Sequence, residues 1–141
     1  MHTEHLENIR PGWVAAGWLV AAAMTSLIGL VLAALQLIGA GDESDQLWAL
    51  VIVAFGFWVG GFFTGFRALR APILHGIAIG LATLVAWFAL NLLSLVFPDL
   101  RWQALTPTVT AALLLIQMAT AVAGAWVGHR IALRGTAELQ A

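Results

Sequence analysis

The sequence predicts an all-α fold, a four-helix transmembrane bundle whose helices run up, down, up and down. Four apolar stretches each reach or exceed the roughly 20 residues that a helix needs to cross the hydrocarbon core of a bilayer. Of the 141 residues 62% are hydrophobic and 9% are charged, whereas a soluble domain has about 25% charged residues. The breaks between the stretches are short, and short connections join neighbouring helices in antiparallel directions.

The apolar stretches divide the chain into three parts. These are a polar head at 1–12, the four-span bundle at 13–131 and a short cytoplasmic tail at 132–141. The spans are predicted at 13–38, 47–66, 72–97 and 107–131. Pro72 and Pro107 suit the first turn of a helix. The first span is too long for the apolar region of a secretory signal, which has about 7–15 residues, so we expect it to be retained.

The arginines predict the orientation of the bundle. The first break, 39–45, contains three acidic residues and no cation, whereas the second break contains Arg67 and Arg70 and no acid. The third break, 98–106, contains Asp99 and Arg101. Five of the six arginines therefore lie on one side, namely Arg10, Arg67, Arg70, Arg130 and Arg134. By the positive-inside rule this side is cytoplasmic, which predicts a multi-pass protein of the cell's inner (plasma) membrane with both termini inside.

Glycines spaced four apart predict how the helices pack. In lipid, helices associate through close van der Waals contact, and small residues at this spacing let backbones approach. The candidate packing residues are Gly56, Gly60, Gly61, Gly65, Gly76, Gly80, Gly124 and Gly128. Residues 56–60 (GFWVG) also echo residues 124–128 (GAWVG). This echo is interpreted as convergent glycine packing or, alternatively, as the trace of a duplicated hairpin.

Part of this pattern resembles a known family. The run Gly65-Phe66-Arg67-Ala68, followed by Leu74-His75-Gly76 and Gly80, resembles an uncharacterised family of small bacterial four-helix integral membrane proteins. The late pair Gly124 and Gly128 fits the same pattern. The resemblance covers spans 2 to 4. It implies a fold and a location but no activity.

Two histidines are the candidate cofactor ligands. His75 and His129 are predicted near the cytoplasmic ends of spans 3 and 4, at similar depth. They are candidate axial ligands to haem, or single ligands to a chlorophyll magnesium, and Gly76 and Gly128 would leave room for a macrocycle. The interpretation we favour is that both are interfacial residues, bonded to headgroups, water or a helix end. The sequence offers no metal cluster.

Polar residues inside the spans have a structural and a functional interpretation. Asn91 and Gln117 are expected to hydrogen-bond to other helices, at about 1 kcal/mol or less per bond. The alternative is that they line a small polar cavity or bind the carbonyl group of a quinone or pigment. No acidic or basic side chain lies deep in a predicted span, which argues against proton-coupled transport, ion pumping and intramembrane proteolysis.

These observations predict a small polytopic protein that acts as a structural or accessory subunit through helix–helix packing. Its expected partners are the lipid bilayer and either copies of itself or a larger membrane complex. One alternative is a haem- or chlorophyll-type cofactor-binding subunit that uses His75. Another is a small oligomeric transporter or channel for a neutral solute. We expect no enzymatic activity, and the formal net charge of −1 argues against binding nucleic acid.

Overall fold

The computed structural model describes residues 5–39, 43–96 and 107–138. Its elements are a 3-10 turn at Leu6–Asn8 and the helices α1 (Pro11–Ala34), α2 (Glu43–Ala68), α3 (Pro72–Val96) and α4 (Pro107–Glu138). Each of the four helices is long and apolar enough to cross a membrane. The predicted all-helical chain with four membrane-length helices is therefore confirmed. Asp42 of the first break, and Asp99 and Arg101 of the third, lie outside the described residues.

Proline begins three of the four helices, namely Pro11, Pro72 and Pro107. The fixed φ of proline suits the first helical position, and its missing N–H removes a donor that has no partner within the helix there. Two of these starts agree with the predicted spans. Helix α1 begins two residues earlier than predicted because Pro11 itself opens it.

Helix α1 ends at Ala34, before the predicted limit at Ile38. Gln36 has a φ of 57°, and its N–H donates to Ala33 O at 2.9 Å. The N–H of Leu37 donates to Leu32 O, also at 2.9 Å. These two bonds form a Schellman motif, whose left-handed residue is usually glycine. Because glutamine occupies that position, the sequence carries no stop signal there.

Helices α2 and α4 are longer than their predicted spans. Helix α2 begins at Glu43, and α4 continues to Glu138, through most of the segment predicted as a tail. The 32 residues of α4 rise about 48 Å, more than the hydrocarbon thickness of about 30 Å. A helix needs apolar side chains only within the lipid, so hydropathy underestimates its full length.

Tight packing occupies one half of the bundle, next to the α2–α3 connection. We call this the packed half. The buried residues lie there, among them Val14, Ala21, Phe57, Ile79, Ala121 and Ala125. The other half, next to the α1–α2 connection, comprises residues 22–34, 44–51, 81–93 and 110–120, and none of these residues is buried. We call it the open half.

Candidate functional site

One face of α2 packs against α1 through glycine. A Cβ added to Gly60 would lie 2.7 Å from the Cβ of Ala21 and would also meet the carbonyl oxygen of Gly17. A Cβ on Gly56 would lie 2.9 Å from Ala21 O and would meet Thr25 Oγ1. Only hydrogen fits at these two positions, so α1 and α2 are in backbone contact in the packed half.

A second face of α2 packs against α4 in the same way. A Cβ on Gly61 would lie 2.8 Å from the Cα of Ala121, and a Cβ on Gly65 would lie 2.6 Å from the Cα of Ala125. Gly124 of α4 in turn lies against Trp58, with 2.9 Å between its added Cβ and the carbonyl carbon. Each helix therefore supplies glycines to the shared contact.

The α2–α4 contact is reciprocal. Gly61 of α2 contacts Ala121 of α4, and Gly124 of α4 contacts Trp58 of α2. Gly61 and Gly124 therefore take equivalent positions in the contact, as do Trp58 and Ala121. Further along, Gly65 contacts Ala125 while Gly128 contacts Phe62 in the same manner. The two helices are thus related locally by a two-fold axis that pairs Gly61 with Gly124.

This pairing differs from the echo between residues 56–60 and 124–128. The echo would equate Gly56 and Gly60 with Gly124 and Gly128. Gly56 and Gly60 face α1, whereas Gly124 and Gly128 face α2. The repeated letters therefore do not mark equivalent packing positions.

Helix α3 packs on α4 through Gly76 and Gly80. A Cβ on Gly76 would lie 2.5 Å from the Cα of Val122, and a Cβ on Gly80 would lie 2.9 Å from the Cβ of Met118. Together with the six glycines of the other two contacts, all eight candidate packing glycines lie against another helix of the same chain.

His75 is fully buried, and backbone atoms engage both of its ring nitrogens. Its Nδ1 lies 2.9 Å from the carbonyl oxygen of Ala71. Its Nε2 accepts the backbone N–H of Arg10 at 3.2 Å. A carbonyl only accepts and an amide N–H only donates, so this geometry assigns the proton to Nδ1. The ring therefore joins the start of α3 to the residue that precedes α1, and neither nitrogen is open to a metal.

The structure does not bring His129 and His75 together. Gly76 lies opposite Val122 and Gly80 opposite Met118, which places His75 level with residue 123 of α4. At 1.5 Å per residue, His129 lies about 9 Å further along that helix. Its half-buried ring has an Nδ1 with no hydrogen-bond partner among the described residues. The predicted similar depth of the two histidines does not match this register.

Two further hydrogen bonds tie α1 to the other helices. Trp18 donates its indole N–H to Thr83 Oγ1 at 3.0 Å. The buried Thr64 hydroxyl lies 3.2 Å from Trp13 O and 3.0 Å from Gly60 O. The sequence interpretation missed Thr64 as a packing residue. Its position between Gly61 and Gly65, on a glycine-rich helix, was the available signal.

The two candidate intramembrane amides lie in the open half. Asn91 is exposed, and its amide donates to Trp87 O at 2.8 Å, one turn earlier in the same helix. The side-chain oxygen of Gln117 is buried and has no hydrogen-bond partner among the described residues. Among the side chains that the structure describes, no three His, Asp or Glu residues are grouped to hold a metal ion.

These features define a class, a multi-pass helical membrane protein whose interior is closed by backbone contact. Compared with models of known families, with curated proteins and with solved structures, the chain matches none. The resemblance to a family of small bacterial membrane proteins therefore stays a prediction.

Proposed function

We propose that this protein is a non-catalytic structural or accessory subunit of the bacterial inner membrane. In this proposal the helices run up, down, up and down, and both termini are cytoplasmic. The order of contacts supports the directions: Gly17 and Ala21 of α1 meet α2 in descending order, whereas Gly61 and Gly65 of α2 meet α4 in ascending order. The arginine distribution supports the orientation.

The observation that carries this proposal is the chemistry of the interior. Among the described residues, the buried polar side chains are Thr64 and His75. Thr64 bonds to the carbonyls of Trp13 and Gly60, and His75 bonds to the backbone of Ala71 and Arg10. Both side chains are thus used to hold helices together. An interior of this kind suits a scaffold better than a pathway for solutes.

Because the glycines pack inside the chain, association with another protein would use the outer surface of the bundle. The eight glycines are used inside the chain, so contact with another copy or another subunit uses other residues. One candidate is an aromatic row on α2, in which Phe55, Trp58, Phe62 and Phe66 stack in succession at 6.3, 5.7 and 6.2 Å between ring centroids. Another is the open half, whose helices expose large apolar side chains.

The absence of cysteine allows a direct test of self-association. Single cysteines at Leu30, Leu115 and Val85 place a thiol on the exposed faces of α1, α4 and α3, where these side chains are 69%, 66% and 68% exposed. Oxidation in native membranes is expected to produce a disulfide-linked dimer from one of the three positions. Ile79→Cys, at a fully buried position, is the matched control and should stay monomeric.

The native mass decides between the two forms of the proposal. A cross-linked dimer, or an assembly well above the 15.0 kDa of one chain, supports self-association or a larger complex, respectively. A monomer in gently solubilised native membranes, with no cross-link from any exposed position, would refute the proposal.

One observation keeps a second candidate, cofactor binding, in view. The Nδ1 of His129 is buried without a described partner, beside Arg130, whose guanidinium lies 3.9 Å from the ring centroid of Trp126. A haem or chlorophyll on His129 would give the purified protein an absorption band that His129→Ala removes and His75→Ala leaves in place. A colourless protein from native membranes excludes this role.

A further inference from the structure

An open groove separates α1 and α2 in the open half of the bundle. It has a volume of about 410 Å³, and its lining includes Thr25, Gly29, Ala33, Asp45, Ala49 and Val53. This volume falls within the roughly 300–1,000 Å³ of small-molecule sites. Apart from the Thr25 hydroxyl and the Asp45 carboxylate, the side chains of the lining are apolar or absent.

The groove exists because the close packing of α1 on α2 stops at Thr25. There the hydroxyl still lies against Gly56. One turn later, a Cβ added to Gly29 would meet no atom within 4 Å. The same glycine spacing that closes the packed half therefore leaves empty space in the open half. Small residues on both walls, Gly29 and Ala33 facing Ala49, keep that space wide.

Asp45 gives the groove a charged mouth. Its carboxylate accepts the backbone N–H of Gly39 at 3.0 Å, which ties the first turn of α2 to a residue shortly after the end of α1. From residue 11 to residue 66 the chain contains three acidic residues, Asp42, Glu43 and Asp45, and no basic one. The Asp45 carboxylate suits a head that carries a positive charge and N–H donors.

The dimensions favour a lipid chain. From Asp45 to Val53 the wall of α2 rises about 12 Å, close to the roughly 15 Å depth of hydrocarbon in one leaflet. The groove thus runs from a polar mouth towards the middle of the membrane, as an acyl chain does. It is more open than enclosed, so a chain can enter sideways from the bilayer.

We propose that this groove binds one acyl chain of an amine-headed phospholipid, with the ammonium group beside Asp45. Phosphatidylethanolamine has this chemistry, because its ammonium donates hydrogen bonds to a carboxylate. Phosphatidylglycerol has the same chains and a negative net charge. The bound lipid fills the space between α1 and α2 that the protein leaves empty.

Native mass spectrometry from nanodiscs tests the proposal. The discs contain equal amounts of phosphatidylethanolamine and phosphatidylglycerol, and the lipids that remain bound to the protein are counted by mass. Wild type is expected to retain phosphatidylethanolamine about fivefold over phosphatidylglycerol, which corresponds to about 1 kcal/mol. D45N keeps the acceptor for Gly39 but removes the charge, and the preference should fall to about equal retention. E7Q removes one charge from the exposed head and should leave the preference unchanged.

Variants that fill the groove test the binding of the acyl chain separately from recognition of the headgroup. Gly29→Leu adds a side chain where nothing stands within 4 Å, and Ala33→Phe fills the groove from the same wall. Both variants should lose the retained lipid. Ala23→Phe, on an exposed part of α1 outside the groove, is the matched control. Equal retention in Gly29→Leu and wild type, an equal loss in Ala23→Phe, or an unchanged preference in D45N would each overturn the proposal.

Discussion

The Gly65→Ala variant measures how strongly backbone contact holds α2 and α4. The new Cβ would lie 2.6 Å from the Cα of Ala125, whereas carbon atoms normally approach to about 3.5–4.0 Å. The helices must separate by about 1 Å at this point. A gap of that size forfeits about a quarter to a half of the dispersion energy of the atoms beside it. The α2–α4 contact, or seam, also contains Gly61, Gly124 and Gly128. We therefore expect the free energy of unfolding to fall by an amount near the upper part of the usual 1–3 kcal/mol for overpacking, about 2–3 kcal/mol.

The chain offers a control with the same substitution. Gly29→Ala adds a Cβ where no atom lies within 4 Å, and replacing glycine by alanine inside a helix usually stabilises by about 0.5–1 kcal/mol. Steric trapping in bicelles measures the free energy of unfolding of both variants without denaturant. The two should differ by about 3 kcal/mol. If Gly65→Ala unfolds within about 0.5 kcal/mol of Gly29→Ala, the α2–α4 seam is not a close backbone contact and the reasoning fails.

Three other variants test the polar bonds and the α2–α3 turn. His75→Ala should lower the free energy of unfolding by about 1–3 kcal/mol, because a fully buried side chain is lost and the part-buried N–H of Arg10 loses its partner; an unchanged melting temperature in detergent would contradict this. Thr64→Val keeps the volume but removes the bond to Trp13 O, so steric trapping should show a loss of about 1 kcal/mol or less, and a larger loss would mean that the hydroxyl does more than this bond. Leu69 has a φ of 56°, so Leu69→Gly should stabilise the chain by about 1 kcal/mol, and a lower melting temperature would show that the leucine side chain outweighs the backbone strain.

Hydropathy was sufficient to predict the four helices but not all of their ends. Where proline stands at the first position, as at Pro72, the start could be read directly. The end of α1 could not be predicted, because the residue in the left-handed conformation there is Gln36 and not the glycine that usually marks a helix end. The end of α4 was also missed, because the helix continues beyond the apolar stretch to Glu138.

The glycines show which part of the helix packing cannot be predicted from the sequence. Gly56 and Gly61 differ by five positions, which puts them on different faces of α2, and this much follows from helical periodicity. The partner of each face does not follow. Gly56 meets α1 and Gly61 meets α4, a choice made by the arrangement of all four helices. The echo between residues 56–60 and 124–128 equates Gly56 with Gly124, whereas the contacts pair Gly61 with Gly124. Sequence similarity alone does not show which helix a glycine faces.

His75 illustrates the same limit for a candidate site. A histidine beside a glycine at the end of a span is compatible with a ligand and with a structural residue. The structure bonds its two nitrogens to Ala71 O and to the N–H of Arg10. The bond to Arg10 joins residues far apart along the chain, and no local sequence pattern predicts it.

These long-range bonds bear on the order in which the protein is made. Helix α1 is synthesised before α2 and α3, yet its polar partners Thr64, His75 and Thr83 lie within those two later helices. Until they insert, the N–H of Arg10 and the indole of Trp18 depend on water, headgroups or the insertion machinery. The hydrogen bonds of α1 are thus completed only once α3 has been made, and a nascent chain that stalls after α2 leaves the N–H of Arg10 and the indole of Trp18 without these partners.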